Sequence, residues 1–185
     1  MARITNPKPA TIVLRDERVV LIAPLVPADQ AEVARLVADA ADPRASFYAR
    51  LFEQRADGAH GPVRPGEFVA RAAQTGALVG YAAYLGGEDG SGEMAGVVDP
   101  RFAGVGLGTL LLRRAADDAR RAGLKALRVE LHPGSDATAE MLRDAGLTSR
   151  WDLDFPVTHV DLALGSSRSG WSTPDLVPVE KTTAR

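Results

Sequence analysis

The chain has no cysteine, only three lysines (Lys8, Lys125 and Lys181), few aromatic residues and no long apolar run. Each shortage excludes something. Without cysteine there is no disulfide framework, no thiolate metal site and no cysteine nucleophile. With a formal net charge of -2, no basic excess points to nucleic acid. No apolar stretch approaches the length that spans a bilayer, and Met1-Ala-Arg-Ile-Thr-Asn-Pro-Lys8 lacks the apolar centre of a signal peptide. The expectation is a cytoplasmic location with no membrane partner. A length of 185 residues suits one domain with a substantial core.

Glycine, by contrast, is concentrated where it carries information. In Gly96-Val-Val-Asp-Pro-Arg-Phe-Ala-Gly-Val-Gly-Leu-Gly-Thr-Leu-Leu-Leu112, a β-branched run stops at Asp99-Pro100. A loop with glycines at 104, 106 and 108 then opens into a helical apolar pattern. Glycines let a backbone approach a ligand closely, and the first turn of a helix carries unpaired N–H groups and partial positive charge. The segment reads as a strand–loop–helix cradle for a phosphate or pyrophosphate. It is not a Walker A loop, because Gly108-Thr109 is followed by Leu110 with no lysine nearby. Nor is it a dinucleotide fingerprint, because the glycines are spaced G-x-G-x-G instead of G-x-G-x-x-G.

The rest of the chain reads as strands at 11–14 and 18–25, a helix from Pro27, and a second helix after Asp42-Pro43 running through Tyr48 to Phe52. Residues 53–66 read as a loop, 67–73 and 77–85 as a hairpin, and 93–98 as the strand before the cradle. The helix after the cradle carries Leu111, Leu112, Ala115, Ala119 and Ala122 on one face, and Gly123 caps it. A strand at 124–131, a helix ending at Gly146 and strands at 151–155 and 157–164 complete the order. Residues 1–10 form an N-terminal arm, 11–164 the domain, and the Ser/Thr/Gly/Pro-rich 165–185 a disordered tail. The fold class is α/β, with a mixed, mostly antiparallel sheet flanked by helices.

Read as Arg/Gln-x-x-Gly-x-Gly/Ala, the span Ala103 to Gly108 resembles the acetyl-CoA pyrophosphate loop of the GNAT superfamily of N-acetyltransferases. Within it the chain looks most like the acetyltransferase domain of bacterial Pat-type protein lysine acetyltransferases. Leu14-Arg15-Asp16 and Val19–Leu25 are similar to that branch's "LRDG…V.LRPI", Ser46–Phe52 to "SRYLRFF", and Glu93–Val98 to "EVAFVV". Arg143–Leu147 is similar to "RDAGF" and His159–Asp161 to "HVE". The resemblance covers roughly residues 12–164.

It implies that 93–98 and 124–131 are two parallel central strands that splay apart to admit the pantetheine arm of acetyl-CoA. The Val97 and Val98 backbone would hydrogen-bond the pantetheine and polarise the thioester carbonyl. Gly104, Val105, Gly106, Leu107, Gly108 and Thr109 would hold the pyrophosphate. Glu93 matches the branch's catalytic base, which takes the proton of the attacking amine. Its other reading is a solvated residue after the Ser91-Gly92 turn. The favoured acceptor is a protein lysine, with a small-molecule amine, or acyl-CoA or partner binding without turnover, as alternatives.

The departures are as specific as the matches. The family's loop Arg/Gln is Ala103, and the arginine usual two positions later is Val105, with Arg101, Arg113 or Arg114 as candidate replacements. Many members protonate the leaving thiolate with a tyrosine where this chain has Leu142. The 53–66 stretch lacks a helix that the Pat-like branch carries. His60, His132 and His159 show no metal-ligand spacing, and Tyr81 and Tyr84 read as core. Dimerisation through the last strands is common in the superfamily and leaves a homodimer open.

Overall fold

A computed structural model of the chain describes residues 8–39, 66–87, 89–131, 133–147, 149–154 and 156–165. The helix expected at 43–52, most of the 53–66 loop, His60, His132 and nearly all of the proposed arm and tail lie outside the described residues.

The described strands are β1 (Ala10–Val13), β2 (Val19–Pro24), β3 (Glu67–Ala72), β4 (Leu78–Gly86), β5 (Ser91–Val98), β6 (Ala126–Leu131), β7 (Ser149–Asp154) and β8 (Val157–Ala163). The described α-helices are α1 (Gln30–Asp39), entered through a 3-10 turn at Pro27–Asp29, α2 (Leu107–Arg121) and α3 (Asp136–Asp144). One eight-stranded sheet runs β1-β2-β3-β4-β5-β6-β8-β7. Every neighbouring pair is antiparallel except β5 with β6. The expected α/β architecture is present.

Helices cover both faces of the sheet's middle. β2 alternates, with Val20 and Ile22 buried and Leu21 exposed, as a strand with one face on the core should. β4 is buried almost continuously from Leu78 to Tyr84, the pattern of a strand packed on both sides. On one side lie Leu107, Leu111, Leu112, Ala115 and Ala119 of α2. On the other, Val33 and Leu36 of α1 close a second cluster with Leu25, Val69 and Tyr81. The α1 entry is pinned by Arg71, whose guanidinium donates to Asp29 Oδ1 at 2.7 Å and to Glu32 Oε1 at 2.9 Å. That hydrogen bond is the main reason the Glu32 carboxyl sits below its ordinary value.

The feature that positions the site is where pairing stops. β5 and β6 are partners at Ser91↔Ala126, Gly92↔Leu127 and Glu93↔Arg128. β5 then continues to Val98 and β6 to Leu131 with no further pairing. At the closed end, a Cβ on Gly92 would lie 2.8 Å from the Leu85 carbonyl oxygen and 3.0 Å from Leu127 Cδ2. Any larger residue there would push the strands apart where they must meet.

The β1–β2 turn contains one strained residue. Glu17 adopts φ 67°, the left-handed region, while its N–H donates to the Leu14 carbonyl at 3.0 Å and Leu14 N–H donates to Arg18 O at 2.8 Å. For a residue with a Cβ this conformation costs about 1–2 kcal/mol, part of which glycine's extra unfolded-state entropy offsets. Glu17→Gly should therefore raise stability by about 0.5 kcal/mol. Urea unfolding measures this, and a destabilised variant would show that the Glu17 side chain contributes more than its strain costs.

Candidate active site

The loop after β5 is built from its two ends. Asp99 is nearly buried, and its N–H donates to the Val79 carbonyl at 2.9 Å, ending the β4–β5 ladder. Its carboxylate accepts the Arg101 N–H at 2.9 Å and the Arg101 guanidinium at 3.0 and 2.6 Å. Arg101 thus holds the carboxyl below the usual carboxylate range against the opposing effect of burial. Phe102 buries its ring below the Arg18 guanidinium, which stacks 3.8 Å from the ring centroid.

Beyond Phe102 the chain turns through Gly104 (φ 74°) and Gly106 (φ 93°), backbone conformations that glycine adopts without penalty. Gly106 is the N-cap of α2, whose first hydrogen bond runs from Leu110 N–H to Gly106 O at 3.1 Å. The N–H groups of Leu107, Gly108 and Thr109 precede it and have no intrahelical acceptor. The Val105 carbonyl is taken by the Arg15 N–H at 3.3 Å. A fifteen-residue helix therefore presents its positive end, with free donors, at a glycine turn.

This turn forms the mouth of a cleft of about 460 Å³ between the parted strands. Residues 94–98 of β5 line one wall, Val129 of β6 and Met141 and Leu142 of α3 another. The register determines what β5 offers there. Asp99 N–H bonds to β4, and the pairing Val97↔Tyr81 and Ala95↔Ala83 continues without a shift. By the two-residue period, the main chain of Ala95 and Val97 faces β4, while that of Gly96 and Val98 faces the gap that β6 has left. The cleft thus contains an unpaired ladder edge in the middle of a sheet. An extended chain bearing amides can complete it as an added strand does.

The residues singled out from sequence divide accordingly. Gly104, Gly106, Gly108 and Thr109 line the mouth, with half-buried Val105 behind them and the Leu107 side chain fully buried as the helix anchor. Val97 and Val98 part company: Val98 turns its main chain to the gap and Val97 to β4. Gly96 shares the orientation of Val98, and sequence reasoning passed it over. Glu93 is exposed, at the last paired position opposite Arg128, and does not line the cleft. Its side chain shares the α1 face of β5 with Ala95 and Val97, whereas Met94 and Val98 pack toward α2. Across that face, register sets Glu93, Arg128, Asp161 and Arg150 in one row, with Arg128 donating to Asp161 at 2.7 and 3.0 Å.

The remaining candidates are accounted for by packing. Tyr81 is fully buried and donates to Glu67 Oε1 at 3.0 Å. Tyr84 donates to Asp118 Oδ2 at 3.0 Å, and burial first, then the Asp118 charge, pushes its hydroxyl well above the ordinary range. Leu142 is buried. Of the three arginines expected to replace the loop's missing cations, Arg101 is committed to Asp99, and Arg114 donates to the Lys8 carbonyl. Arg113 lines a separate, smaller depression. Among the described residues, no cluster of His, Asp or Glu could hold a metal ion.

A helix N-terminus at a glycine turn, beside an open ladder edge in a parted sheet, makes an α/β fold with a site suited to a long, amide-bearing ligand ending in phosphates. Residues 32–147 match the acetyltransferase (GNAT) family, and the chain belongs to it. Members take an acetyl group from acetyl-CoA and pass it to an amine, so the protein is a GNAT-type N-acetyltransferase with acetyl-CoA as donor.

Among solved structures, the fold is similar to the GNAT domain of PAT from S. lividans (20% identity, TM-score 0.65, covering 84% of this chain and 96% of that one). It is similar also to yncA from Salmonella typhimurium, solved with its cofactor acetyl-CoA (20% identity, TM-score 0.59, 81% and 96% covered). A third is the cAMP-binding acyltransferase from Mycobacterium smegmatis (16% identity, TM-score 0.63), of which 91% of this chain covers 51%. No curated protein matches in sequence.

Gly106→Glu should abolish acetyl-CoA binding measured by isothermal titration, because it places a Cβ and a carboxylate at the positive end of α2. The left-handed backbone should also cost about 1–2 kcal/mol of stability. Undiminished affinity in the folded variant would place the pyrophosphate elsewhere.

Proposed function

We propose that the protein acetylates a protein lysine, with Glu93 as the base. The observation that carries this reading is the alternation of β5, which puts the phosphate cradle on one face of the sheet and Glu93 on the other. The donor enters from the face of α2 and α3, where the phosphate cradle lies. The opposite face, which carries Glu93, Ala95 and Val97, is left for the acceptor. The outer β6–β8–β7 part of that face carries Glu130, Asp152 and Asp161 with Arg128 and Arg150, so with Glu93 the carboxylates outnumber the guanidiniums. A cationic side chain on a flexible stem suits such a surface.

In this reading the N–H groups at the start of α2, with Gly104, Val105, Gly106, Leu107, Gly108 and Thr109 around them, hold the pyrophosphate. The Gly96 and Val98 main chain pairs with the pantetheine amides, and an N–H aimed at the thioester oxygen stabilises the negative charge that develops there. The neutral lysine nitrogen attacks the thioester carbon, the new C–N bond forms as C–S breaks, and the thiolate leaves. Glu93 takes the amine proton. It lies three residues, about 10 Å of strand, from Gly96. The proton therefore travels through water. Buried Leu142 offers no acid to the thiolate, which takes its proton from solvent.

A small amine is the competing acceptor, favoured by the glycine- and proline-containing sequence of 53–66, where the chain departs from the Pat-like pattern. Assaying lysine peptides against polyamines and aminoglycosides separates the two. No helix among the described residues is long and apolar enough to cross a membrane; the cytoplasmic location remains part of the proposal.

Glu93→Gln should lower kcat about 100-fold or more near neutral pH, while the Kd for acetyl-CoA stays within about twofold. A matching fall in both would make Glu93 a structural residue, and an unchanged kcat would exclude it as the base.

A further inference from the structure

We propose that Arg15, in the β1–β2 turn, supplies the pyrophosphate-binding cation that the loop itself lacks at Ala103 and Val105. This rests on the assignment of the glycine turn as the acetyl-CoA phosphate cradle and adds to it a residue from a distant part of the chain. A Cβ built on Gly106 would lie 3.7 Å from Arg15 Nε, so the guanidinium sits directly beside the N-cap of α2. Among the described residues that line the cleft, Arg15 is the one cation. Its side chain enters no ion pair among the described residues.

The turn that carries it is fixed to the loop at two further points. Arg15 N–H donates to the Val105 carbonyl at 3.3 Å, and the Arg18 guanidinium stacks on Phe102. Asp16 pairs with Arg18 and so is occupied away from Arg15. The arrangement is therefore a main-chain brace bearing an uncommitted guanidinium at the positive end of a helix, where a dianionic pyrophosphate is already favoured. A guanidinium there adds charge-assisted, forked hydrogen bonds to phosphate oxygens. Because the brace uses the Arg15 backbone, replacing the side chain leaves the turn in place.

The test measures binding of CoA and of dephospho-CoA, which keeps the pyrophosphate and lacks the 3′-phosphate, by isothermal titration. Arg15→Ala should weaken both ligands by the same factor, about 10- to 100-fold, with unchanged thermal unfolding of the free protein. Adding Val105→Arg, which returns a cation to the family's own position, should restore most of the loss. Equal binding by wild type and Arg15→Ala overturns the proposal and leaves the cradle reading intact. A loss confined to CoA overturns it too, assigning Arg15 to the 3′-phosphate. Absence of CoA binding in the wild type overturns the cradle reading, and the role of Arg15 with it.

Discussion

Pairing between β5 and β6 ends at Glu93 and Arg128, and most of the site follows from that interruption. Backbone N–H and C=O groups buried without partners are costly, so a ladder that stops in mid-sheet needs water or a ligand on its open edge. Here the edge is short, comprising chiefly the main chain of Gly96 and Val98, and it faces the cleft of about 460 Å³. The strands cannot close the gap themselves. Gly92 fixes their nearest approach at one end, and the loop from Asp99 to Gly106, with the start of α2, occupies the other.

The same geometry separates two kinds of chemistry. Side chains alternate across β5, so Met94 and Val98 support α2 while Glu93, Ala95 and Val97 look toward the α1 face. Main-chain groups alternate within the sheet plane, and in the proposed reading it is these that meet the donor. A residue can therefore serve the acceptor side through its side chain without weakening the donor side. Glu93 is exposed because it stands beyond the cover of α1, next to the Arg128–Asp161 pair.

Much of this was legible in the sequence, for local reasons. The loop glycines announce left-handed backbone before a helix, and the apolar stripe of α2 follows from helical period alone. The parting of β5 and β6 was legible through family likeness, not through residue pattern. The main-chain direction of Val97 was not legible, because it depends on which β4 residue stands opposite, a matter of tertiary register. Arg15 stands in the Leu14-Arg15-Asp16 segment, and nothing in the sequence marks it as a phosphate ligand. Its approach to Gly106 joins residues some ninety positions apart, and no periodicity encodes that. The free-looking arginines near the loop, Arg101 and Arg114, were instead committed to Asp99 and to the Lys8 carbonyl, which only coordinates reveal.

The loss of the family's loop cations at Ala103 and Val105 becomes intelligible once backbone and side-chain contributions are separated. In the proposed reading the cradle's donors are peptide N–H groups, whose direction is set by the φ values of Gly104 and Gly106 and by the start of α2. Side chains at 103 and 105 can change without disturbing that scaffold, whereas a side chain at 106 cannot, since it would lie in a left-handed position beside Arg15. Loop arginines add charge to a preformed site; they do not create it. Any surface element that brings a guanidinium to the helix end can take over that contribution, and the β1–β2 turn is already held there by its own hydrogen bond to Val105.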